Sequence, residues 1–207
     1  FQFGPVNTEF RSDEITFITG GNGSGKLTLA RLLTGLYSPI SGTITINGKQ
    51  ASTNDLNLLF SAVFSDFHLF KKMYGFNMVE QKERIDWYLE LMKIKDQVHI
   101  RDDGMLENIQ LSTGQKKRLA FVICCLENKD MIVFDEWAAE QDIEFRHFFY
   151  NDLLPMLREK GKGIIVITHD DRYFELADKL IVLDHGKIEQ TVGSFSYLDV
   201  AENSSSV

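Results

Sequence analysis

The stretch from Ile15 to Lys26 constrains this chain more than any other. Ile15-Thr16-Phe17-Ile18-Thr19 is an apolar, β-branched run that reads as a strand, and Leu29, Leu32 and Leu33 follow at helical spacing. Between them lies Gly20-Gly21-Asn22-Gly23-Ser24-Gly25-Lys26. Strand, glycine-rich loop and helix in that order is the context of a phosphate-binding loop. Glycines let successive backbone N–H groups curl inward onto an anion, the helix N-terminus adds its dipole, and Lys26 brings a full charge for the β- and γ-phosphates. A turn that merely punctuates the fold is the alternative, and the matched order of all the parts weighs against it.

One position departs from the pattern. The residue after the lysine should carry a hydroxyl that binds Mg²⁺, and here it is Leu27, whose alkyl side chain cannot ligate a metal. Thr28 stands about 100° further round the helix, so it is expected to reach a different phosphate. Nucleotide binding is therefore better supported than efficient hydrolysis.

The remaining chain alternates short apolar runs with longer amphipathic ones, the pattern of a layered α/β domain. Strands are expected at Thr43 to Ile46, Ala62 to Phe64, Met131 to Phe134, Gly163 to Thr168 and Leu180 to Asp184. Met78, Ile85, Leu89 and Met92 place an amphipathic helix over Met78 to Ile94. With Val98 to Ile109 this segment reads as a mainly helical insertion, and a helix from Thr113 to Glu127 returns to the sheet. The expected division is an α/β core over about 1–75 and 128–200, a helical subdomain over about 76–127, and a polar tail at 201–207.

Composition narrows the function classes. The 207 residues suffice for one buried core, and the net charge of −8 argues against a broad footprint for DNA or RNA phosphates. The longest apolar run, Leu119 to Leu126, falls well short of the roughly 18 to 20 residues that span a bilayer. Glu9, Asp13 and Glu14 interrupt the N-terminal stretch, which does not have the form of a signal peptide. Cys124 and Cys125 are neighbours within an apolar run and read as reduced core residues.

Three further patterns bear on chemistry. Met131 to Phe134 ends in Asp135 and Glu136, and strand alternation would turn one carboxylate to a metal shell and the other to an attacking water; a solvated acidic turn is the alternative. Leu111-Ser112-Thr113-Gly114-Gln115 has Ser112 and Gln115 at capping-box spacing, which by itself describes a well-capped helix start. Ile164 to Thr168 is followed by His169, an imidazole at the carboxyl end of a strand, where open α/β sheets bind ligands.

Taken in order, the phosphate loop, Leu-Ser-Thr-Gly-Gln, the strand ending Asp135-Glu136 and the strand followed by His169 resemble the ATP-binding cassette (ABC) ATPases. The resemblance covers nearly the whole chain. Phe134-Asp135-Glu136-Trp137-Ala138-Ala139-Glu140-Gln141-Asp142 is similar, more narrowly, to the bacterial cyclic-peptide and siderophore exporters, as are Thr168 to Phe174 and Phe64 to Phe70. It implies a phosphate-loop NTPase fold of the ABC type, with a mixed-sheet core and a mainly helical subdomain. Gly20, Gly21, Asn22, Gly23, Ser24, Gly25, Lys26 and Thr28 would cradle ATP, and Asp135 would help to hold Mg²⁺. Glu136 would act as general base and His169 as the switch histidine at the γ-phosphate. Asp142 would lie in a loop touching a partner subunit, and Ser112, Thr113, Gly114 and Gln115 would cap the nucleotide of a second copy paired head-to-tail.

The family's loop glutamine falls at Ser65, whose shorter hydroxyl can approach Mg²⁺ directly or through water. Neither Phe1 nor Phe3 is assigned the family's adenine-stacking role, because both lie too close to the phosphate loop. In exporters of this architecture the ATPase domain follows a membrane domain in one polypeptide. The resemblance therefore implies a transmembrane domain of the same or a partner polypeptide and a soluble domain at the cytoplasmic face of the bacterial inner membrane, and the charge balance argues for no nucleic-acid partner. A soluble cassette acting on nucleic acid or the ribosome is one alternative, and a nucleotide-binding module with impaired hydrolysis, which Leu27 favours, is another.

Overall fold

The structure, a computed structural model, describes residues 2–107 and 110–193. In chain order, β1 (Ile15–Gly20) enters α1 (Lys26–Leu33), and β2 (Thr45–Ile46) pairs with β3 (Lys49–Gln50) in a small hairpin. A helix, α2 (Thr53–Leu59), leads into β4 (Phe60–Val63), and α3 (Lys82–Leu91) is followed by a second hairpin, β5 (His99–Ile100) and β6 (Leu106–Glu107). Next come α4 (Thr113–Glu127), β7 (Met131–Asp135), a 3₁₀ turn over Trp137–Glu140, and α5 (Ile143–Phe148). That helix passes through a π-helical turn, Phe149–Leu153, into α6 (Leu154–Glu159), then β8 (Gly163–Ile167), a 3₁₀ turn over Asp171–Leu176, β9 (Lys179–Asp184) and β10 (Lys187–Gly193). Pro155 follows directly on the π-helical turn inside this continuous helical run, a place where the helical ladder is already interrupted.

Six strands form one sheet in the order β10-β9-β1-β8-β7-β4, parallel throughout except for the β10 edge. Burial on both faces explains the near-continuous Ile and Val of β7 and β8, in which every residue is buried. Period two sorts these side chains. Phe17, Ile132, Phe134, Ile164 and Val166 pack with α4, α5 and α6 on one face, while Ile18, Val133, Ile165 and Ile167 pack with α1 and α2 on the other. The result is a helix–sheet–helix sandwich whose parallel strands all end at one edge.

Most expected elements are present with shifts of a residue or two. Thr113–Glu127 forms the helix anticipated, and the Ser112 hydroxyl accepts from the Gln115 amide at 3.2 Å while Gln115 Oε1 accepts from the Ser112 amide at 2.9 Å. Expected strand Thr43 to Ile46 shortens to β2 and lies outside the main sheet, turning at Asn47 and Gly48, both at positive φ. The helix over Met78 to Ile94 contracts to α3: Asn77 Oδ1 accepts from the amides of Val79 and Glu80 at one end, and Lys93 takes a left-handed φ at the other. Val98 to Ile109 was expected to be part of a helical insertion, and its described part is instead the β5–β6 hairpin, turning through Asp102, Asp103 and Gly104. Asp and Gly favour turns over helix there, and the β-branched Val98 and Ile100 suit extended backbone. Residues 108 and 109, Phe1, the end of the expected core at 194–200 and the tail at 201–207 lie outside the described residues.

The aromatic layer beneath β7 carries much of the packing. Phe134 stacks on Phe121 at 5.4 Å and meets Phe149 edge-on at 5.3 Å, and all three rings are fully buried. Phe134→Ala is expected to lower unfolding free energy by about 3–5 kcal/mol. Leu36→Ala, at a side chain 58% exposed, is expected to change it by less than about 0.5 kcal/mol. Urea unfolding followed by circular dichroism checks both.

Candidate functional site

Gly20 begins the loop with φ +140°, and a Cβ there would lie 2.0 Å from the Leu183 carbonyl oxygen, so only glycine fits. Gly25 ends the loop at φ 103° in the left-handed region and stands as the N-cap of α1, with no side chain bonding to the helix's first amides. The first turn of α1 carries no acidic residue either. Those amides stay open to an anion. Ser24 Oγ is buried without a hydrogen-bond partner in the same loop, an orphaned donor suited to a phosphate oxygen. Lys26 Nζ donates to the carbonyls of Gly20 at 2.6 Å and Gly21 at 3.1 Å. Burial lowers its pKa, with Glu136 and Asp135 opposing the shift. Leu27 and Thr28 are both half-buried on the first turn of α1.

Asp135 is the last residue of β7 and is 5% exposed. Its Oδ2 accepts from the Ser65 amide at 3.0 Å and from the Ser65 hydroxyl at 2.7 Å, so the end of β7 and the loop after β4 meet at one oxygen. Glu136 Oε1 lies 3.4 Å from His169 Nε2. Burial pushes the Glu136 carboxyl above its usual range, with His169 opposing the shift.

Asp135 and Glu136 do face different ways, for a reason the strand pattern did not supply. Glu136 has φ 49° and ψ 34°, a left-handed conformation outside the strand, so a backbone turn rather than the alternation of a pleat separates the two carboxylates. Two groups that were not singled out in the sequence hold this turn: Lys117 Nζ donates to the Glu136 carbonyl at 2.7 Å, and Trp137 Nε1 donates to the Lys117 carbonyl at 2.9 Å. Lys117 falls in line with Phe121, Cys124 and Cys125 on the buried stripe of α4, and that spacing is the signal that would have revealed it.

Ser112, Thr113, Gly114 and Gln115 lie elsewhere. Among the described residues their hydrogen bonds run to one another, along α4 and to Gln141, with none to the phosphate loop. A Cβ on Gly114 would lie 2.9 Å from the Glu140 carbonyl oxygen, and Gln141 Nε2 donates to the Gly114 carbonyl at 3.1 Å. Asp142 caps α5 by accepting from the Phe145 amide at 2.8 Å and accepts from Arg118 at 2.8 Å. The Phe145 amide and Arg118 hold its carboxyl below the usual range. Ser112 and Thr113 are exposed, so this helix start faces outward.

Among the described residues no group of three or more His, Cys, Asp or Glu side chains could hold a metal ion by themselves. Asp135 with Ser65 offers one carboxylate and one hydroxyl, a donor set suited to an ion that keeps most of its ligands as water and phosphate oxygens.

Comparison with known proteins identifies the family and the fold. The sequence model of the ABC transporter family matches residues 3–139. The chain is 44% identical over 197 residues to the ATP-binding protein SyrD of Pseudomonas syringae pv. syringae, covering 93% of this chain and 35% of SyrD. It thus spans about a third of that relative's length. A bacterial Atm1-family ABC exporter with ATP bound superposes with a TM-score of 0.78 at 24% identity, over 98% of this chain and 37% of that one. The dimeric ATP-binding cassette MJ0796, in a post-hydrolysis state bound to ADP and Pi, superposes with a TM-score of 0.77 at 21% identity, over 95% and 96%. Both likenesses concern the fold.

Gly20→Ala is expected to weaken binding of a fluorescent ATP analogue by more than about tenfold, since a Cβ forces the loop off the β9 backbone. Fluorescence titration reads this out, with circular dichroism to establish that the protein remains folded.

Proposed function

The chain belongs to the ABC transporter family, and from that premise we propose that it is the ATP-binding and ATP-hydrolysing domain of an exporter, moving a peptide or siderophore-like substrate. The observation that carries the catalytic reading is the 3.4 Å Glu136–His169 pair, with Lys26 near enough to Glu136 to perturb its charge. In this reading residues 20–26 and Thr28 bind the triphosphate, with the open start of α1 and Lys26 meeting its negative charge. Glu136 takes a proton from the attacking water, and its raised pKa suits a base that must accept one near neutral pH. His169 contacts the γ-phosphate and steadies Glu136. Asp135 and Ser65 would hold Mg²⁺, which neutralises phosphate charge when bound.

The exporter assignment rests on the resemblance carried by the Phe134 to Asp142 segment, and the identity to the ATP-binding protein SyrD supports the ATP-binding part of it. Ser112 to Gln115 present an outward helix start that would cap ATP on a second copy, giving a head-to-tail sandwich. Closing and reopening of that pair would drive the transmembrane partner, at the cytoplasmic face of the bacterial inner membrane. Among the described residues no helix is long and apolar enough to cross a membrane. For docking, Phe70 and Tyr74 are 63% and 68% exposed and meet edge-on at 6.3 Å beside the Ser65 loop. We treat about 76–127 as a subdomain that carries α3, the β5–β6 hairpin and α4 against the core.

Leu27 favours a second reading, a cassette that closes on ATP with slow turnover, because no hydroxyl stands at that position. Leu27→Ser is expected to raise Mg²⁺-dependent phosphate release; an unchanged rate would show that other groups already complete the site. Glu136→Gln is expected to bind ATP and accumulate as a dimer. Size-exclusion chromatography with light scattering, showing only monomer at high protein and ATP concentrations, would count against the sandwich.

A further inference from the structure

Lys117 is 1% exposed, a degree of burial rare for lysine. Its ammonium has one hydrogen bond within 3.5 Å, to the carbonyl of Glu136, and its nearest carboxylate oxygen is Glu140 Oε1 at 3.7 Å. The bond is returned in kind: the Trp137 indole N–H donates to the Lys117 carbonyl. Trp137 is fully buried and stacks on Phe149 at 4.5 Å, so the return bond comes from a rigid ring. Helix α4 and the Glu136-Trp137 turn are therefore latched to each other in both directions.

We propose that Lys117 is a positioning residue for Glu136, holding its left-handed backbone so that the carboxylate stays beside His169 and moves only when the start of α4 moves. The inference rests on the reading of Glu136 as general base. Three observations carry it. Left-handed backbone is uncommon at a non-glycine residue, and the Lys117 bond, shorter than the 3.4 Å bond from the Ala139 amide, lies on the carbonyl of that very residue. Lys117 stands on the second turn of the helix that begins at Ser112, one turn from the amides proposed to meet the second nucleotide. Gln141, donating to the Gly114 carbonyl and accepting from Arg118 Nε at 2.9 Å, braces the other end of the same turn against α4. A nucleotide that pulls on the start of α4 thereby shifts the Glu136 carbonyl of the same subunit, linking the two sites of the sandwich through one buried ammonium.

The test is steady-state ATP turnover of the purified protein with Mg²⁺, comparing Lys117→Met, Lys117→Gln and Trp137→Phe. Lys117→Met keeps the length and apolar stem and loses the donor; kcat is expected to fall on the order of tenfold to a hundredfold. The KM for ATP and the affinity for a fluorescent ATP analogue should change by less than about twofold, since the phosphate loop is untouched. Lys117→Gln retains an N–H donor and should recover part of the loss. Trp137→Phe removes the return bond, keeps the packed ring and should lower kcat several-fold. Should Lys117→Met fail to fold, Trp137→Phe decides: reduced kcat at constant KM supports the latch and unchanged kcat overturns it. Turnover at the unsubstituted rate in Lys117→Met, or a loss that follows ATP affinity, would also overturn it. Glu136→Gln separates the two levels: full turnover in that variant removes the general-base reading, whereas an inactive Glu136→Gln beside unimpaired Lys117 variants removes only the latch.

Discussion

The hydrogen-bond ladder of the parallel sheet continues one step past its strands, and the site depends on that step. Asp135, Ile167 and Ile18 share one row across β7, β8 and β1. Just beyond that row, the Glu136 amide donates to the Ile167 carbonyl at 3.0 Å and the Thr168 amide donates to the Ile18 carbonyl at 3.1 Å. Glu136, His169 and the start of the phosphate loop are thus set by the register of a sheet buried on both faces. Slipping any of these strands by one residue would exchange its two packed faces, so the spacing of Glu136 and His169 is protected by the whole core.

Cations reinforce this frame by satisfying carbonyls that a tight turn leaves exposed to a buried environment. Lys117 meets Glu136, and Arg146 meets Ala138 at 3.2 Å, Ala139 at 3.2 Å and Gln141 at 3.3 Å. Arg118 bonds Gln141 and Asp142 and lies 3.5 Å above the Phe145 ring. These charge-assisted bonds add to the amide bonds that the Glu136 and Ala138 carbonyls already accept from Ala139 and Gln141, and together they help to fix the irregular course of the 136–142 segment. Arg146 Nη1 also lies 3.8 Å from Asp170 Oδ2, on the residue after His169, which brings the same frame to the second catalytic candidate.

How much of this was legible depends on whether local chemistry or tertiary packing decided each part. The phosphate loop was legible because glycine, lysine and the flanking strand and helix each require that place. The Ser112–Gln115 capping box was equally readable, since both of its bonds lie within four residues. By contrast β10 alternates exposed and half-buried residues over Lys187–Gly193 and is held mainly by its antiparallel pairing with β9, which a scan for apolar runs overlooks. The left-handed turn at Glu136 was hidden for a different reason: its restraint comes from a lysine 19 residues earlier in the chain. A lysine beside another basic residue looks like a solvated helix start until its alignment with Phe121 and Cys124 is noticed.

In the proposed sandwich one ATP is shared between the phosphate loop of one copy and the start of α4 in another. Cysteine crosslinking tests it most directly. The native Cys124 and Cys125 are buried, and burial raises both thiols, that of Cys125 to about 12, so they form a quiet background. Asn22 and Thr113 are both exposed. One copy carrying Asn22→Cys would be mixed with another carrying Thr113→Cys, both with Glu136→Gln to retain ATP. A disulfide between the two copies is expected with ATP and Mg²⁺, and little with ADP. Crosslinking that is absent with ATP, or equal without nucleotide, would contradict it.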